Sequence, residues 1–254
     1  MSSDGRDSDG RVHNIGKGNG DVYQIRVKNA GCRRGGRWLF RHLNLEINRG
    51  TFVAVVGPSG VGKSSLMQCL AGMLELDEGE IVYQDAVGRV ENPLEYRDHV
   101  GIVFQNLQLV PQATVLDNVA AGALHRWPWW RTLCGVPRCE KERALKIIET
   151  LGLEGTLYKR VGEISGGEQQ RVALARAILH DPELYLADEP VANLDAYLTG
   201  RVLGYLKQEA AERGRSVFCV LHQADLVTRF ADLALSLDPI NPEGWHLRQV
   251  RDRV

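Results

Sequence analysis

Apolar and polar positions alternate from Val22 to Val27 (Val-Tyr-Gln-Ile-Arg-Val), the period of a half-buried strand. A second alternating run, Leu43-Asn-Leu-Glu-Ile-Asn, stops at Arg49-Gly50, where a turn is expected. Thr51 to Val56 has a different character: it is a β-branched, apolar run suited to a parallel strand buried on both faces. A Gly-rich stretch follows it, then a helical pattern from Lys63 to about Met73. From about residue 107 to 176 the spacing is mostly helical, as in Glu140-Lys-Glu-Arg-Ala-Leu-Lys-Ile-Ile-Glu. Two more strands are expected at Leu184 to Ala187 and Ser216 to Leu221, each with a helix behind it. Strand–helix alternation interrupted by a helical block predicts an α/β sandwich with a mainly helical insertion. Residues 1 to about 20 hold five glycines and almost no apolar periodicity, so they are expected to form a flexible tail, 1–21, ahead of a single domain, 22–254.

Composition narrows the class. The chain has 254 residues with ordinary globular usage, which excludes fibrous and disordered proteins. Its 31 Lys plus Arg against 32 Asp plus Glu leave a net charge of -1, without the basic surplus of a nucleic-acid binder. No apolar run reaches the roughly 18 residues needed to span a bilayer, and the N-terminus lacks a signal-peptide layout. A cytosolic start is expected. The five cysteines are odd in number and have no CxxC spacing, so reduced thiols are expected rather than disulfides or a metal site.

The chemistry begins at Gly57-Pro58-Ser59-Gly60-Val61-Gly62-Lys63-Ser64, which matches G-x-x-x-x-G-K-[ST] between a strand and a helix; Ser65 follows it. In that context the glycines turn backbone N–H groups around a phosphate, and the next helix presents its positive N-terminus to the same charge. Lys63 is expected on the β- and γ-phosphates of ATP, and Ser64 on Mg²⁺. Leu184-Tyr-Leu-Ala-Asp188-Glu189-Pro190 is an apolar strand ending in two acids. Beside a phosphate loop, Asp188 fits a Mg²⁺ site and Glu189 a group polarising the water that attacks the γ-phosphate. Ile164-Ser165-Gly166-Gly167-Glu168-Gln169-Gln170-Arg171 opens a helix with a second phosphate-binding N-terminus.

Phosphate loop, Ser-Gly-Gly loop and acidic strand end, in this order, resemble the ATP-binding-cassette ATPases. The resemblance covers residues 22 to about 238. It implies a P-loop NTPase core with a RecA-like, mainly parallel sheet, an N-terminal antiparallel β subdomain, and a helical subdomain at about 106–176. It implies that Ser165, Gly166 and Gly167 contact the γ-phosphate held by an opposite subunit of a homodimer. Gln105 resembles the lid glutamine at the Mg²⁺ site, Asp195 in Asn-Leu-Asp-Ala the loop crossing the dimer interface, and His222 the switch histidine at the γ-phosphate. The aromatic that usually stacks on adenine is missing. Arg34 aligns there, and an arginine plane can also stack on a base; Trp38 is the other candidate.

The region after Gln105, including Trp127-Pro-Trp-Trp-Arg, is similar to the ATPase subunit of phosphonate importers. For the tryptophans themselves, a core position and an exposed interface patch are both open. The resemblance implies a subunit on the cytoplasmic face of the cell (inner) membrane. It would be held there by integral permease subunits, served indirectly by a periplasmic or surface solute-binding protein, and would not touch the solute. With the chain ending at Val254, no C-terminal regulatory domain is expected. The alternative is a soluble cassette-like ATPase of a phosphonate-degrading (carbon–phosphorus lyase type) complex.

Overall fold

The structure is a computed structural model that describes residues 23–84, 88–128 and 136–250. The expected tail at 1–21 and two of the clustered tryptophans, Trp129 and Trp130, lie outside the described residues.

Two sheets carry the fold. Strands β1 (Tyr23–Arg34), β2 (Arg37–Asn48), β4 (Glu78–Gln84) and β5 (Val90–Glu91) form an antiparallel sheet in the order β2-β1-β4-β5. Strands β3 (Phe52–Val56), β6 (Val100–Val103), β7 (Leu184–Ala187), β8 (Ser216–Val220), β9 (Leu233–Ser236) and β10 (His246–Gln249) form the second, in the order β10-β9-β3-β8-β7-β6. Its pairings are parallel except for β10 on β9.

Side-chain alternation along the parallel strands splits the core in two. Phe52, Ala54, Tyr185, Ala187, Val217 and Cys219 pack on one face, against the helices. Val53, Val55, Leu184, Leu186, Phe218 and Val220 pack on the other, against the antiparallel sheet and helix α1 (Lys63–Leu70). Burial on both faces is why these strands read as continuous apolar runs rather than alternating ones.

The short α2 (Pro93–Tyr96) precedes β6; between β6 and β7 the described chain is largely helical, with α3 (Val115–Ala120), α4 (Arg138–Thr150) and α5 (Gly166–His180). Helix α5 runs past residue 176 to His180 and ends at Asp181 in a left-handed conformation. Helices α6 (Ala196–Arg213) and α7 (Ala224–Phe230) follow β7 and β8.

The structure adds to the sequence reading at several elements, among them these. Val100–Val103 is a strand, although it is four residues long and includes Gly101, where an added Cβ would meet the Pro182 ring at 2.6 Å. Helix α1 stops at Leu70, because Gly72 turns the chain with φ 67°. Beyond residue 238, where the resemblance stops, β10 closes the sheet edge, and Trp245, 2% exposed, sits in the core with its indole N–H donating to the His42 carbonyl at 3.2 Å.

Candidate functional site

Four parallel strands deliver the chemistry at one edge of the sheet, outside their carboxyl ends, where open α/β sheets bind ligands. The loop 57–62 leaves β3, Gln105 follows β6, Asp188 and Glu189 follow β7, and His222 follows β8. The edge is knitted together by the backbone, with Asp188 N–H donating to the Val103 carbonyl at 2.9 Å.

In the loop, Gly57, Gly60 and Gly62 have φ of 144°, 77° and 112°, a region that side-chain-bearing residues rarely enter. A Cβ on Gly62 would lie 2.9 Å from the Leu39 Cβ, so glycine is required there twice over. Helix α1 starts at Gly62 with no side-chain cap and no acid in its first turn. Its first N–H groups are thus left to an anion. Val61 is buried in the core and anchors the loop from below. Lys63 is 6% exposed, and its ammonium donates to the carbonyls of Gly57 at 2.8 Å and Pro58 at 2.9 Å. Burial pulls the Lys63 pKa down, while Glu189 and Asp188 oppose that by holding the charged form.

A cleft of about 300 Å³ joins these parts; Arg34, Ser59, Gly60, Gly62, Lys63, Ser64, Ser65, Gln105 and Glu189 all line it. Asp188 sits beneath. Burial pushes its carboxyl pKa up, and a hydrogen bond with Ser64 counteracts the rise. Paired hydroxyl and carboxylate oxygens of this kind suit a hard divalent cation such as Mg²⁺, which is normally held by one or two carboxylates plus phosphate oxygens. Among the described residues, no group of three or more His, Cys, Asp and Glu side chains could hold a metal ion alone.

Glu189 carries the most constrained backbone of the site, a non-glycine residue at φ 54°. Its Oε1 lies 2.7 Å from His222 Nε2, across the ends of adjacent strands. Its carbonyl accepts from the Gln170 side-chain amide at 2.8 Å, and the Gln170 Oε1 accepts from Asn193 N–H at 3.3 Å. Gln170 is 3% exposed. Sequence reasoning passed it over, although a signal was present. It shares a helix face with Ala173, Leu174 and Ala177, all buried, and a glutamine on a buried face has to be partnered.

Arg34 ends β1 at the tip of a hairpin whose two linking glycines, Gly35 and Gly36, have φ of 56° and 78°, as a two-residue type I′ turn needs. That turn brings Arg34 to the cleft. Trp38 is occupied elsewhere: the guanidinium carbons of Arg33 and Arg41 lie 3.9 and 4.7 Å from its ring centroid.

The Ser165 loop stays out of the cleft. Ser165 caps α5, with Oγ and N–H donating to Glu168 Oε2 at 2.7 and 2.8 Å and accepting from Glu168 N–H at 3.3 Å. Gly166 and Gly167 form the first turn of that helix. Asp195, exposed, caps α6 through Leu198 N–H at 2.9 Å. Within one chain, therefore, the loop 57–65, Gln105, Asp188, Glu189 and His222 come together, while Ser165, Gly166, Gly167 and Asp195 face outward.

Comparison with known proteins agrees with this geometry. Residues 40–192 match the family model described as ABC transporter. The chain is 36% identical over 202 residues to phosphonates import ATP-binding protein PhnC 2 of Nostoc sp., covering 80% of this chain and 83% of that one. It is 36% identical over 215 residues to hypophosphite import ATP-binding protein HtxD of Stutzerimonas stutzeri, covering 82% of this chain and 62% of the other. Among solved structures it resembles a dimeric ATP-binding cassette in a post-hydrolysis state bound to ADP and phosphate. There the TM-score is 0.78 at 26% identity, over 90% of this chain and 99% of the other.

Proposed function

The chain belongs to the ABC transporter family of ATPases, and on that premise we propose that it is the ATP-hydrolysing subunit of an importer for phosphonate or a related phosphorus oxyanion. The observation that carries the reading is one cleft lined by the phosphate loop and Glu189, with Asp188 bonded to its Ser64 and His222 to its Glu189, and with the Ser165 loop turned outward. A site so divided is completed by a second copy, whose Ser165, Gly166 and Gly167 would face the γ-phosphate and whose Asp195 would lie at the interface. Two identical half-sites give an isologous dimer.

In the proposed mechanism the N–H groups of residues 57–65 and the Lys63 ammonium take up the phosphates, Lys63 exchanging its loop carbonyls for phosphate oxygens. Arg34 lies over the base. Ser64, Asp188 and Gln105 are the residues that would hold Mg²⁺. Bound there, Mg²⁺ supplies charge neutralisation at the β- and γ-phosphates. Glu189 accepts the proton of the attacking water as its oxygen bonds to the γ-phosphorus and the bond to the bridging oxygen of ADP breaks. His222 holds the Glu189 carboxylate from Oε1 and stands where the γ-phosphate would be sensed.

Motion is passed on through the segment after Gln105. Leu107 and Gln108 have φ of 56° and 45°, and their carbonyls accept from the Arg176 guanidinium at 2.8 and 2.7 Å. A groove of about 280 Å³ opens beside them, lined in part by Phe104, Gln108, His125 and Arg176. Gln105 thus stands between the cleft and this groove, which we assign to the permease. No described helix is long and apolar enough to cross a membrane, so attachment to the cytoplasmic face would rest on such a partner.

The test is purification of the tagged chain from its native membranes, followed by ATPase assay. A multi-spanning permease in the complex, and stimulation by a solute-binding protein loaded with phosphonate, are expected. Recovery only with soluble carbon–phosphorus-cleaving enzymes would replace the importer reading with a cytosolic one.

A further inference from the structure

We propose that Gln170 is a positioning residue for hydrolysis: it fixes the Glu189 loop and ties it to the Ser165 helix of the same protomer. The proposal rests on the reading of Glu189 as the residue that polarises water.

The loop from Glu189 to Asn193 is held at both ends by one side chain. The amide nitrogen of Gln170 donates to the Glu189 carbonyl at 2.8 Å, and its amide oxygen accepts from the Asn193 N–H at 3.3 Å. Both groups of the amide are thereby used, in a position 3% exposed. An amide serving two loop ends cannot be replaced by an apolar isostere without leaving backbone polar groups short of partners. The loop needs such a clamp, because Glu189 stands at φ 54°, a conformation that non-glycine residues keep only when their surroundings impose it. Among the described residues, the other hydrogen bond to its carbonyl is the loop's own, from Ala192 N–H at 3.3 Å.

A second contact makes the tie stiff. At Gly167, a Cβ would lie 3.1 Å from the Asn193 carbonyl oxygen, so the first turn of α5 passes close to the far end of the same loop. The path from Ser165, at the helix cap, to Glu189 therefore runs through Gly167, Asn193 and Gln170. Movement of the helix N-terminus is delivered to the Glu189 backbone through one buried side chain, Gln170, whose amide is held at both ends. In a dimer this has a consequence for order of events. The helix that completes the partner's site reports to the glutamate of its own, so occupancy of one site biases the geometry of the other.

The experiment compares Gln170→Leu and Gln170→Glu with wild type in the full chain. Gln170→Leu removes both hydrogen bonds. The expected result is a fall in kcat of about 10- to 100-fold, the scale of loss from misplacing a reacting group by about 1 Å. The KM for ATP, Mg²⁺-free ATP binding and ATP-driven dimerisation should stay within about twofold of wild type, since none of these uses Glu189 as a base. Gln170→Glu keeps the acceptor for Asn193 and loses the donor. Its turnover relative to wild type should rise as pH falls and the introduced carboxyl regains a proton to donate. This variant carries the test if Gln170→Leu does not fold.

Combination with Glu189→Gln supplies the decisive readout. If Gln170 acts through Glu189, Gln170→Leu lowers single-turnover phosphate release no further in the Glu189→Gln background. Additive losses, unchanged kcat, or a kcat loss matched by equal loss of ATP binding would each overturn the proposal. Normal turnover by Glu189→Gln alone would instead remove the reading of Glu189. The two failures are therefore told apart.

Discussion

Glu189 Oε1 and His222 Nε2 lie 2.7 Å apart, bridging the carboxyl ends of β7 and β8. Neither side chain is fully buried, and the bond is made at the mouth of the cleft rather than beneath it. A carboxylate held on one oxygen keeps the other free to take a proton, which gives the pair a division of labour: His222 orients and Glu189 accepts.

Glu189→Gln should therefore lose about 100- to 10,000-fold in turnover, the usual contribution of a general base. Affinity for ATP should survive, because the phosphates are held by the loop and Lys63. His222→Ala should fall by a similar factor with little change in KM. Steady-state phosphate release set beside ATP binding separates these effects; a rise in KM with unchanged kcat in either variant would place that residue in binding instead.

Asp188 sets a cost in stability. Its folded-state pKa is raised by burial, so the native protein holds this proton to higher pH than the unfolded chain does. Between the ordinary carboxylate pKa of 3.8 and the raised value, folding takes up a proton, and stability falls as pH rises through that window. Asp188→Asn should thus raise the Tm of the nucleotide-free protein at neutral pH, by about 2–4 °C for each kcal/mol relieved. Mg²⁺-dependent turnover should be lost in the same variant. A thermal melt from pH 4 to 8 would show the gap between variant and wild type widening with pH; a constant gap would argue against the assignment.

Arg34 and Trp38 make opposite predictions for the base. Arg34 lines the cleft, whereas Trp38 is covered by two guanidinium groups. Loss of one stacking partner is worth about 1–3 kcal/mol, so Arg34→Ala should weaken ATP binding about tenfold or more. Trp38→Ala should leave it within about twofold. Titration with a fluorescent ATP analogue reads both, and equal losses would show the hairpin acting as one folded unit.

Trp245 tests the extent of the fold. Removing its ring should cost about 3–5 kcal/mol, the range for large aromatics in a core. Chemical denaturation of Trp245→Ala measures this, and a cost below about 1 kcal/mol would return the segment after residue 238 to the periphery.

What the sequence made legible was the chemistry with a rigid local form. The glycines of 57–62 require their turn wherever they occur, and the buried runs at 52–56, 184–187 and 216–220 have no stable home but a covered sheet. Four signals were weaker. Val100–Val103 is too short to show a period, and it becomes a strand because β7 is there to pair with it. Trp245 lies in a stretch rich in turn residues, and its burial depends on the distant β2 strand that offers the His42 carbonyl. Gln170 is one of two adjacent glutamines, and its shared face with Ala173, Leu174 and Ala177 was the faint signal that it, and not Gln169, is buried. The outward-facing Ser165 and Asp195 acquire their meaning from a second copy, which no reading of one chain supplies.

Dependence of the site on a second copy is tested most directly by sedimentation of the Glu189→Gln variant. With saturating ATP and Mg²⁺, the 28.3 kDa chain should sediment as a dimer, and as a monomer with ADP or without nucleotide. Ser165→Arg in the same background should stay monomeric throughout. A variant that binds ATP tightly and remains a monomer would contradict the composite site.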